Sequence, residues 1–170
     1  MLNRVAFLAV ASSVASAAPA QDPGSPQTRD FVQAAGQSDA FEILEAQTAL
    51  TQSTDPQVRA FAQRMIQDHR RTSQALRQAA VRSGLTPPPT GVGGDLASLL
   101  AALQGLRGRD FDKAYFHHQV IGHVSALTTE RLYAANGDDP AVRQAAVAAT
   151  PIIAAHLAMA QRAEARFGGS

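Results

Sequence analysis

The 170-residue chain has no cysteine and no tryptophan, one lysine (Lys113) beside 14 arginines, and few aromatic residues: seven phenylalanines and two tyrosines. Without cysteine there is no disulfide framework, thiolate zinc site, iron–sulfur cluster or thiol nucleophile. Net charge is also nearly absent. Fifteen basic and 14 acidic side chains leave a formal +1, and the excess is Arg4, in a segment expected to be removed. A neutral mature chain offers no electrostatic pull toward nucleic acid, and no such partner is expected. There is no glycine-rich phosphate loop, nucleophile elbow or HExxH, so nucleotide enzymes and hydrolases find no support. The length suits one domain.

Residues 1–20 have the form of an export signal. A short basic start, Met1 to Arg4, leads into an apolar run from Val5 to Ala17, and Ala18-Pro19-Ala20 is an A-x-A cleavage pattern with the cut expected after Ala20. A membrane-spanning helix needs about 20 apolar residues. This run is shorter and is broken by Ser12, Ser13 and Ser16. The mature protein is therefore expected in the periplasm or otherwise exported, with no transmembrane segment after signal removal. Residues 21–29, holding Pro23, Gly24 and Pro26, read as a flexible leader, and 30–167 as the folded domain.

Within that domain the apolar residues recur at steps of three and four, which predicts helices. Phe31, Ala35, Ser38, Glu42, Glu45 and Ala49 mark the first, over about 28–53. Asp55-Pro56 starts a second, because aspartate caps free amides and proline fits the first turn. Val58, Phe61, Met65, His69, Thr72 and Leu76 carry it to Gly84. Three prolines and three glycines make 86–94 irregular, and Asp95 to Leu106 is a short amphipathic piece. A third long helix spans about 110–135 and is expected to stop at Asn136-Gly137 in a left-handed turn. Asp139-Pro140 repeats the start signal for a fourth, with Pro151 inside it.

Both helix pairs are joined by short turns, hence antiparallel, while the stretch from Gly84 to Arg109 is long enough to travel the whole bundle. The predicted fold is therefore all-α, a ferritin-like four-helix bundle with one long crossover connection containing a short extra helix. The competing topology is an up-down bundle with the middle segment folded at one end. A weak repeat supports two related halves, since a histidine follows each capping aspartate by 14 and 17 residues (Asp55 to His69, Asp139 to His156).

Three histidines on three different helices lie on apolar stripes: His69 near Met65 and Leu76, His123 near Phe116 and Leu127, His156 near Ile153 and Met159. Glu42 and Glu45 share one face of the first helix. A buried carboxylate needs a partner, and imidazoles from facing helices serve as partner or as metal ligands. The candidate site is one transition-metal ion (zinc, copper, iron or manganese) held by Glu42, His69, His123 and His156, with Glu45 ranked after Glu42. The other reading is a purely structural cluster that fixes helix register. A di-iron centre is not expected, because Glu-x-x-His is absent: Ile66 precedes His69 and Ile153 precedes His156.

His117 and His118 point about 100° apart, so both cannot face His123's partners. Asp68 is expected to pair with Arg64 or Arg71 at the surface. The second helix carries Arg59, Arg64, Arg70, Arg71, Arg77 and Arg82 against one acid, a stripe suited to an envelope protein partner or an anionic surface.

Phe41-Glu42-Ile43, the run Val58 to His69 with Met65-Ile66-Gln67-Asp68-His69, Phe111-Asp112-Lys113-Ala114-Tyr115 with His123, and Thr150-Pro151 with His156-Leu157 together resemble the DUF4142 family of exported bacterial proteins. The resemblance covers about Asp30 to Phe167. It implies a ferritin-like bundle in the cell envelope and no established activity. The matching positions are Glu42, Asp68, His69, Asp112, Tyr115, His123, Pro151 and His156.

Overall fold

In a computed structural model residues 24–168 are described, and the expected export signal lies outside them. Five helices follow in order: α1 Pro26–Gln52, α2 Pro56–Arg82, α3 Gly94–Gln104, α4 Gly108–Asn136 and α5 Pro140–Gly168. Three of the four long ones start alike. Ser25, Asp55 and Asp139 each precede a proline and accept from a first-turn amide, that of Thr28 at 3.0 Å, Gln57 at 2.7 Å and Val142 at 2.9 Å. The side-chain oxygen satisfies an amide with no intrahelical partner, and the proline lacks an N–H that would have had none. This start corrects the expected leader, because Ser25-Pro26 opens α1 and residues 26–29 are already helical.

Gly84 ends α2 in the left-handed region at φ +69°, with the Leu85 amide donating back to the Ala80 carbonyl at 2.9 Å. Gly137 departs from expectation. Its backbone is extended, φ −63° and ψ 134°, not left-handed. A Cβ there would stand 2.5 Å from the Tyr133 ring, so glycine is required by a close approach to that ring.

The helices form two antiparallel hairpins, α1–α2 and α4–α5, stacked so that α1 lies on α4 and α2 on α5. Thr28 at the start of α1 bonds Tyr133 near the end of α4, and Gln57 at the start of α2 meets Arg166 near the end of α5. Both contacts are thus antiparallel, which makes α2 parallel to α4. A link between parallel helices must run the bundle's length, and this one runs along α1. Pro88 presses on Gly36, where a Cβ would lie 2.3 Å from its ring, and farther on Gln52 donates to the Gln104 carbonyl at 3.2 Å. Two hairpins with one lengthwise crossing are the ferritin-like arrangement. The up-down alternative is excluded.

All eight aromatic residues of the described region are buried. Phe61, Phe111, Tyr115, Phe116 and Phe167 fill one end of the bundle, and Phe31 stacks on Tyr133 at the other, ring centroids 4.0 Å apart. Each such side chain contributes about 1.5–3 kcal/mol by burial. Between these apolar ends lies a polar layer: Asp39, Glu42 and Glu45 on α1, His69 on α2, Gln119, His123 and Glu130 on α4, and His156 on α5, all buried. No later membrane-length segment was expected, yet α5 is long and apolar enough to cross a bilayer by length and composition. In the fold it is one wall of the bundle, turning Ala146, Ile153, His156 and Ala160 inward.

Candidate metal centre

The helical stripes bring His69, His123 and His156 together from three helices, with one ring nitrogen of each within 4.8 Å of the others. The hydrogen bonds on the far side of each ring decide which nitrogen faces inward. His123 Nδ1 donates to the Gln119 carbonyl at 2.8 Å, and a carbonyl only accepts, so Nε2 carries the lone pair. His69 Nδ1 donates to Asp39 Oδ1 at 2.8 Å and leaves Nε2 buried without a partner. His156 Nε2 donates to Asp68 Oδ2 at 3.1 Å and leaves Nδ1, which stands 3.4 Å from His123 Nε2. Two imidazole lone pairs therefore face each other, with the unpartnered Nε2 of His69 nearby. Tetrahedral coordination by nitrogen at the usual 2.0–2.1 Å places ligand atoms about 3.3 Å apart, so the His123–His156 pair already has that spacing. A carboxylate or carbonyl on the outer nitrogen is the usual support of a metal-ligating histidine.

Electrostatics keep two of the rings neutral. Burial lowers His123 to about 3 and His156 to about 4, with the neighbouring His69 adding to both shifts. At His69 burial also opposes charge, but the bond to Asp39 and the negative fields of Asp39, Glu42 and Asp68 outweigh it and raise the pKa. Glu42 is pushed up to about 8, first by burial, with His69 pulling it back and Glu45 raising it further. Its Oε2 accepts from the Gln119 amide at 2.5 Å, and its Oε1 is 3.6 Å from His123 Nδ1, the outer nitrogen of that ring. Glu42 thus borders the cluster on the α1–α4 side. Gly122 makes room for it, since a Cβ there would lie 2.9 Å from Oε1.

Glu45, the second carboxylate named from the sequence, is not beside the three rings. It is held by His118 Nδ1 at 2.7 Å and by Gln119 Nε2 at 3.1 Å. His117 faces solvent, paired with Glu164 at 2.8 Å, which separates the two adjacent histidines as their geometry requires. Asp68 does meet Arg71, at 3.3 Å, but its other oxygen reaches inward to His156, which corrects the expectation of a surface pair alone. Of the arginines on α2, Arg59 donates to the Leu50 and Ser53 carbonyls at 2.6 and 3.2 Å, and Arg77 to the Pro88 carbonyl at 3.1 Å, so these two fasten loops.

A family model for a domain of unknown function, DUF4142, matches residues 13–163. The chain belongs to the DUF4142 family. The crystal structure of a DUF305 fragment from Deinococcus radiodurans is similar to this DUF4142 protein, with a TM-score of 0.73 and 18% identity, covering 85% of this chain and 99% of that one. At that identity the likeness speaks for the fold. No curated protein matches the sequence.

The DUF4142 chain also places residues in the polar layer that the sequence reading passed over. Asp39 orients His69 and accepts from Thr72 Oγ1 at 2.9 Å; Gln119 bridges Glu42 and Glu45; Glu130 is buried with Oε2 unpaired. The signal was spacing: Asp39 precedes Glu42 by three residues, Gln119 precedes His123 by four and Glu130 follows it by seven, so all share the inward faces.

Proposed function

We propose that this protein binds one transition-metal ion between α2, α4 and α5 through His69 Nε2, His123 Nε2 and His156 Nδ1; Glu42, the fourth ligand expected from the sequence, stands 3.6 Å from the outer Nδ1 of His123 and would have to turn to reach the ion. What carries the reading is the set of outer hydrogen bonds. Each ring has one nitrogen committed to an oxygen, which turns the other nitrogen of all three toward one buried point; His123 and His156 bring lone pairs there, and a cation would take the place of the proton that the acids around His69 favour on its Nε2. A cation relieves that arrangement. Three imidazoles with at most one carboxylate fit a single zinc, copper, iron or manganese ion better than a carboxylate-bridged pair. On this reading the protein stores or buffers metal or protects against redox damage, and residues 1–20 export it to the periplasm or beyond.

Elemental analysis of tag-free protein and thermal unfolding with each metal test the reading. One ion per chain is expected, with a metal-dependent rise in Tm that His156→Ala abolishes. A folded protein that carries no metal and gains no stability from zinc, copper, manganese or iron would reject it. The result would favour a structural polar core in a non-enzymatic envelope protein that docks a partner or an anionic surface through Arg70 and Arg71 on α2.

A further inference from the structure

A groove of about 600 Å³ opens between α1, α3 and α4, beside the polar layer. Its volume lies in the range of small-molecule sites. The walls are apolar, chiefly Ala34, Phe41, Leu96, Leu99, Ile121 and Ile153. Leu99 and Ile121 stay 44% and 57% exposed at the mouth and extend the apolar wall to solvent. The ionisable groups along the lining are chiefly acids. Asp39, Glu42 and Glu130 contribute carboxyl groups, and no lysine or arginine among the described residues lines the groove. Its two histidines, His117 and His118, are occupied by Glu164 and Glu45.

One of these acids points to a ligand. Glu130 is only 7% exposed, and its Oε2 has no hydrogen-bond partner. A buried, unpaired carboxyl oxygen is unfavourable in a folded chain and is relieved by a donor from outside. Glu130 lies two helical turns beyond His123, about 10 Å along α4, so it is separate from the three rings. An anionic ligand would face three carboxyl groups, and a bare cation would leave the apolar walls unused. We propose that the groove binds a small amphiphilic amine, its apolar body along Phe41, Leu96, Leu99 and Ile121 and its ammonium head against Glu130. The site goes beyond the metal centre and does not depend on it.

Calorimetric titration of the protein as isolated, with octylammonium, octanoate, octanol and methylammonium, tests this. Octylammonium is expected to bind once per chain and at least tenfold more tightly than each of the other three. Glu130→Gln, which keeps the shape but cannot ionise, should weaken it at least tenfold at about pH 9, where the Glu130 carboxyl has lost its proton and the ammonium keeps its charge. Ile121→Arg, at an exposed position where folding is not at stake, should do the same by placing a cation at the mouth. Octanol or methylammonium binding as tightly as octylammonium, undiminished binding by both variants, or no binding of octylammonium at all would each overturn the proposal.

Discussion

Replacing Glu130 by glutamine should stabilise the protein, and only above about pH 4.5. Burial, and after it the nearby Asp39, raises the Glu130 carboxyl from its ordinary 4.5 to about 8. The folded state therefore keeps a proton that the unfolded chain releases above pH 4.5. Protons are bound in excess by the fold, so stability falls as pH rises from 4.5 toward 8. Each pH unit in that window removes about 1.4 kcal/mol, which reaches about 4 kcal/mol at pH 7.5 as an upper bound. Relaxation and water reaching the carboxyl reduce this, and a gain of roughly 1–3 kcal/mol is expected for Glu130→Gln at pH 7.5. Near pH 4.5 the variant and the parent should match, because glutamine resembles the protonated acid. Urea unfolding followed by helical circular dichroism at the two pH values measures the difference. Glu42, His123 and His156 titrate in both proteins and largely cancel. Equal stability differences at both pH values, or a variant that is weaker at pH 7.5, would refute the assignment of Glu130 as a buried neutral acid.

Three other substitutions probe the layer and its supports. Asp68→Asn removes the charge behind His156 Nε2 and should weaken metal binding 10- to 100-fold, about 1.4–2.7 kcal/mol, with stoichiometry unchanged, as a competition titration with a chromophoric chelator would reveal. Gly137→Ala drives a methyl group into the Tyr133 ring and should lower stability by about 1–3 kcal/mol in chemical denaturation; an unchanged midpoint contradicts the close approach. Gly122→Ala would ordinarily gain about 1 kcal/mol in a helix. Here the new Cβ meets Glu42, so that gain should be missing from the unfolding curve, and its full appearance would show that Glu42 moves aside freely.

The long helices were readable because their start signals are local. Asp55-Pro56 and Asp139-Pro140 act through atoms within three residues, and the inward stripes through Phe61, Met65 and His69 follow from helical period alone. The first start was misread because Pro23, Gly24 and Pro26 together look like a loop, and the single cap from Ser25 distinguishes it. In the polar layer, the convergence of three histidines could be inferred from their stripes. The partners behind them could not. Asp39 acquires its role from His69, thirty residues away, and Asp68 from His156, eighty-eight away, contacts that depend on how the hairpins are stacked. Gln119 carries no charge to draw notice, and Glu130, at the margin of an amphipathic face, has the same spacing whether it meets water or protein.

The pairing of the helices has a consequence for how the centre comes into being. One hairpin supplies a single ring, His69, while the other supplies His123 and His156, so neither half owns a complete set. The cluster thus forms only where the halves have met: a cation bridging it would act as a clasp across the seam, and any loosening there would part His69 from the other two rings.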